Sequence, residues 1–201
     1  MNNTKTKTDA IVCLAAGIFI GGVIFDVFPK AAKSLGIMPA LIWMAIGYVV
    51  WWVSKALLNT LKQPALSWLT AAALWFHSIL EGIITGLAFG VSETFGLFIL
   101  AAMTFHILPE FFAAIALMKG AGSTTQKSIW TTCIGFIVLY ASFGLTYILI
   151  PNLASVLPFA VAISGGAFLF VGLASFWKRK SLANVFALIA GVGIIFLQST
   201  F

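Results

Sequence analysis

Seven apolar runs of bilayer-spanning length follow one another along this chain, at about 10–29, 37–58, 66–90, 95–118, 129–150, 153–177 and 182–199. Each matches the roughly 20 residues that a helix needs to cross the hydrocarbon core. The separators are short and polar: KAAKSLG, NTLKQPA, VSETF, KGAGSTTQKS, IPNL and KRKS. Inside lipid every backbone N–H and C=O must pair within its own segment, which leaves helices as the fold for such runs. The expected architecture is therefore all-α: one polytopic membrane bundle of about seven helices, spanning residues 1–201 as a single domain. Composition agrees, since 62% of the residues are hydrophobic and only 8% charged. A soluble core of this length could not hide that much apolar surface.

Charge gives the orientation. Seven crossings put Lys5, Lys7, Lys55, Lys62, Lys119, Lys127, Lys178, Arg179 and Lys180 on one side, and only Lys30 and Lys33 on the other. Basic loops stay cytoplasmic, so the N-terminus is expected inside and the C-terminus outside, in the plasma membrane. The same distribution accounts for the net charge of +6 without a nucleic-acid partner, because the cations sit between apolar runs rather than on one face. The opening MNNTKTKTDAIVCLAAGIFIGG has a basic head and an apolar stretch, as a secretory signal does. Its apolar run continues to Phe28, so it reads as a retained helix. Cys13 and Cys133 stand singly in apolar runs and offer neither a disulfide framework nor a CxxC site. A short internal likeness, AAGIFIGGV in the first span and GGAFLFVG in the sixth, suggests two units crossing in opposite directions.

The scarcest polar residues mark a site. The chain has two histidines, and each is followed four residues later by a glutamate: His77 with Glu81, His106 with Glu110. Residues four apart share one helix face. The third and fourth spans are joined by a short loop and should run antiparallel, which sets His77 level with Glu110 and Glu81 level with His106. A carboxylate near the bilayer centre costs about 2.5–3.5 kcal/mol on insertion scales, and no Lys or Arg lies in these spans near the glutamates. A divalent cation suits two carboxylates and two imidazoles. Pro109 frees a carbonyl one turn back, and Gly82 and Gly86 allow close approach to the third span. Asp26 and Ser78 are secondary or entry candidates. A plain i,i+4 hydrogen bond, or a proton relay, is the bland reading of either pair, and a solvated helix end is that of Asp26.

At these residues the chain resembles the ZIP (ZRT/IRT-like) family of divalent metal transporters, whose metal helices read H-N-x-P-E-G and H-x-x-P-E-G. Here they stand as His77-Ser78-Ile79-Leu80-Glu81-Gly82 and His106-Ile107-Leu108-Pro109-Glu110. AAGIFIGGVIFDVFPKA resembles the family's second helix, with Asp26 in the histidine place and Lys30 in the glutamate place. ISGGAFLFVGLASF resembles the seventh. The family's first helix has no counterpart, Ser78 replaces a usual Asn, Ile107 stands where many members have a polar ligand, and Phe111 replaces a common Gly. The resemblance implies transport rather than catalysis: Zn²⁺, with Fe²⁺, Mn²⁺ or Cd²⁺ as other cargo, carried toward the cytoplasm through His77, Glu81, His106 and Glu110, with no required cofactor and a homodimeric assembly. The competing readings are a degenerate metal-binding or sensing membrane protein and a membrane-embedded metalloenzyme. The latter is disfavoured by the lack of H-E-x-x-H, and a retinal-type receptor by the lack of a lysine in the last span.

Overall fold

The computed structural model describes residues 3–60, 65–91, 93–149, 157–177, 179 and 181–199. At some helical positions, His106 among them, it describes the backbone alone. Lys62, Lys178 and Lys180 of the basic set lie outside the described residues. No strand occurs among those described. The helices are α1 (Asn3–Gly22), α2 (Phe28–Leu35), α3 (Ile37–Thr60), α4 (Ala65–Val91), α5 (Glu93–Gly120), α6 (Thr125–Leu149), α7 (Leu157–Trp177) and α8 (Leu182–Ser199). A π-helical segment, Val23–Val27, joins α1 to α2. Among the described residues six helical stretches are long and apolar enough to cross a membrane, and Thr8–Leu35 counts as one of them. Helix α5 is 28 residues long with Pro109 inside it.

The first span is longer than its sequence suggests. Pro29 has no N–H, so the helix would be expected to stop near it. Instead the Phe28 N–H reaches back five residues to the Val23 carbonyl, a π register. That wider turn absorbs the proline, and the helix continues to Leu35. Gly36, at φ +86°, then ends it, its N–H bonded to the Ala32 carbonyl at 2.9 Å. Asp26 therefore sits within a helix rather than at its end, and pairs with Lys30 at 2.6 Å.

Helix directions follow from which residues meet. Gly17 meets Leu188 while Gly21 meets Val192 and Ile195, so α1 and α8 run parallel. Trp43 packs on Phe159 and Tyr48 on Phe170, so α3 and α7 run parallel as well. In α4 and α6, Trp75 donates to the Thr131 carbonyl while Gly86 meets Thr146, again parallel. Phe19 stacks on Phe168 at 4.4 Å while Val27 meets Gly165, which makes α1 and α7 antiparallel. The start of α1 and the end of α8 thus lie at opposite ends of the bundle.

The sequence likeness between the first and sixth spans has a structural counterpart. A Cβ on Gly17 would strike the carbonyl of Leu188, three residues before Gly191, and one on Gly191 would strike that of Leu14, three before Gly17. Gly47 and Gly166 repeat the relation with Ile163 and Met44, again three residues back. Two backbone-to-backbone crossings, α1 on α8 and α7 on α3, therefore share one geometry. Phe19 and Phe168, each two residues beyond its glycine, stack between them. Close approach of this kind substitutes for the hydrophobic driving force that lipid does not supply. The outer faces are apolar, as lipid requires: Met38, Trp130, Ile148 and Phe186 are all more than 60% exposed.

Candidate metal centre

The site forms where α4, α5, α1 and α7 converge. Phe89 of α4 covers Gly96 of α5, and twelve residues earlier His77 meets Glu110, so the two helices are antiparallel neighbours. This brings one imidazole and two carboxylates together. His77 Nε2 stands 3.2 Å from Glu81 Oε1 on its own helix and 3.6 Å from Glu110 Oε2 across the helix pair. Residue exposures are 4% for His77, 2% for Glu81 and 0% for Glu110, far too low for solvent to screen the two carboxylates.

Three further residues, from α1 and α7, shape the site, and no local sequence signal marks them. Gly22 lies against Glu110: a Cβ there would be 3.2 Å from Oε1 and would meet no other heavy atom of the described residues within 4 Å. Ser164 Oγ lies 3.4 Å from His77 Nδ1, on the far side of the ring from the carboxylates. Phe168, one turn further along α7, has its ring 4.7 Å from the imidazole, tilted by 43°. The Gly-rich strings containing Gly22 and Ser164 were visible in the sequence, but their closeness to spans 3 and 4 depends on how four helices pack.

The other expected residues are placed as follows. The His106 backbone lies on α5, one helical turn before Glu110, and its side chain is outside the described residues. Ser78 is fully buried but faces α6, where Gly135 lies. Asp26, paired with Lys30, follows Gly22 by about one turn of the same continuous helix. Gly82 and Gly86 admit a helix: a Cβ on either would collide with Ser142 or Thr146 of α6.

An imidazole nitrogen with a carboxylate oxygen in either pair is a donor set of the type that a divalent cation takes. With ligand bonds of about 2.0–2.1 Å, the edge of a tetrahedral zinc shell is about 3.3 Å. The spacings of 3.2 and 3.6 Å around Nε2 are close to that edge. The same 3.2 Å also suits a hydrogen bond. Among the described residues no group of three or more His, Cys, Asp or Glu side chains is placed to hold a metal ion. What is present is two close pairs that share His77 Nε2, and the His106 side chain is outside the described residues. No protein-family model matches the chain, and no curated protein matches it.

Proposed function

We propose that this protein is a ZIP-like transporter that carries a divalent transition metal ion, Zn²⁺ foremost, across the membrane toward the cytoplasm. The observation that carries this reading is the meeting of His77, Glu81 and Glu110, buried, at an antiparallel crossing in an otherwise apolar bundle. Two carboxylates there demand positive charge, and a neutral imidazole beside them favours a borderline-soft cation over Ca²⁺ or Mg²⁺. His106, on the same helix as Glu110, is the fourth ligand of the proposal. Asp26 and Lys30, further along the first helix, form a charged pair on the approach to the site.

The bundle also supports a division of labour. Helices α1, α3, α7 and α8 are tied by the two matched glycine crossings, while α4 and α6 are joined through Gly82 and Gly86. In this proposal α4 and α5 carry the ion and the crossed helices are the scaffold for alternating access. With α5 counted as a span there are seven, the N-terminus and its basic loops inside and the C-terminus outside. The parallel course of α1 and α8 supports an odd number of crossings.

Purified protein in liposomes with a metal-sensitive dye inside tests the reading, with Zn²⁺, Mn²⁺, Fe²⁺ and Cd²⁺ offered in turn. Zn²⁺ entry that vanishes in His77→Ala and Glu110→Ala is the expected result. Tight Zn²⁺ binding without entry would instead favour a sensor, and absence of both would remove metal from the account.

A further inference from the structure

Ser164 is completely buried on α7, and among the described residues its hydroxyl lies 3.4 Å from His77 Nδ1 and 2.9 Å from the Val161 carbonyl. A hydroxyl has one proton to give and lone pairs to accept with. The carbonyl can only accept, and it is the nearer of the two, so the serine proton goes to Val161. What remains for Nδ1 is an acceptor. A hydrogen bond can then form only if Nδ1 carries a proton. A neutral imidazole has one ring proton, so placing it on Nδ1 leaves Nε2 with a bare lone pair. Nε2 is the ring nitrogen that faces Glu81 and Glu110. The Phe168 ring packs on the imidazole, with centroids 4.7 Å apart.

We propose that Ser164 is a positioning residue that fixes His77 as the Nδ1–H tautomer and so presents Nε2 to the transported cation. The inference rests on the transport reading above and adds a residue from α7 to it. A metal-bound histidine gains basicity and a fixed orientation when its other nitrogen donates to an acceptor, and loss of such an acceptor typically weakens metal binding about 10–100-fold. The bland alternative is that Ser164 merely bonds back to its own helix, as serines in membrane helices do. That alternative leaves His77 indifferent to the hydroxyl.

With only two histidines in the chain, ¹⁵N-histidine labelling gives a spectrum with two ring systems, assignable through His77→Asn. The carboxylates compete for a proton on Nε2 when no cation is present, so the tautomer is read on Zn²⁺-loaded protein in nanodiscs, beside Zn²⁺ affinity. In wild type His77 should show a protonated Nδ1 and a metal-bound Nε2. Ser164→Ala should bind Zn²⁺ about 10–100-fold more weakly and lose protection of the Nδ1 proton. Ser164→Thr, which restores the hydroxyl, should recover most of the affinity. Wild-type affinity in Ser164→Ala, or a protonated Nε2 in loaded wild type, would overturn the proposal alone. Equal loss in the Ala and Thr variants would mark packing rather than the hydroxyl, and would overturn it too. Wild type that binds no Zn²⁺ at all would bring down the transport reading, and this inference with it.

Discussion

Gly22→Ala separates the site from the scaffold. The glycine has ordinary helical angles, φ −56° and ψ −41°, so alanine fits the backbone without strain. In a helix that exchange is worth about 1 kcal/mol in favour of alanine. The new Cβ would lie 3.2 Å from Glu110 Oε1 and, among the described residues, would touch nothing else within 4 Å. An ordinary carbon contact sits at roughly 3.5 Å or more, so about 0.3 Å must be found, and among the described residues the carboxylate is what stands there to give it. If a displacement of about 1 Å costs about a hundredfold, 0.3 Å scales to about fourfold, or roughly 0.8 kcal/mol. The expected result is Zn²⁺ binding about three- to tenfold weaker, with a melting temperature unchanged or raised. Calorimetry in nanodiscs gives the affinity and intrinsic fluorescence during heating gives the stability. Unchanged affinity would show that Glu110 does not take part in binding from this position. An affinity loss matched by a fall in melting temperature would show that Gly22 serves packing alone.

The proposed ligands should act as one unit: His77→Ala, Glu81→Ala and Glu110→Ala each abolish most uptake in liposomes, and a His77→Ala/Glu81→Ala double variant is little worse than either single; a double variant that transports normally would end the metal reading. Gly17→Ala differs from Gly22→Ala because its Cβ meets the backbone carbonyl of Leu188, so it should cut the yield of folded protein and lower the melting temperature. Arg179 donates to Asp9 Oδ1 at 2.9 Å and to the carbonyls of Ser175 and Gly120 at 2.8 Å each, tying the ends of α1, α5 and α7; Arg179→Ala should cost about 1–3 kcal/mol in denaturant unfolding, and Asp9→Asn under about 1. Cysteines placed at position 3 and at position 200 should be labelled from opposite sides of the membrane in intact cells, position 200 from outside; equal outside labelling would overturn the orientation.

An all-helical fold and the nearness of His77, Glu81 and Glu110 were legible in the residues alone. Hydropathy sufficed for the helices because lipid leaves an apolar chain few ways to pair its backbone, and the boundaries of α8 at 182 and 199 coincide with the apolar run. The His–Glu spacing was legible because four residues make nearly one helical turn, and a short connection forces α4 and α5 antiparallel. Their meeting at His77 and Glu110 follows from those two local rules. Tertiary structure decided what local rules do not reach. A proline reads as a stop, yet the π turn at Val23–Val27 carries the first helix past Pro29, because a register shift can re-pair the backbone. Gly22 and Ser164 lie 55 residues before and 87 after His77. Nothing in their own neighbourhoods in sequence points to an imidazole or a carboxylate. They reach the site because α1 packs on α5 and α7 on α4, and helix–helix packing of that kind is set by the whole bundle rather than by any one span.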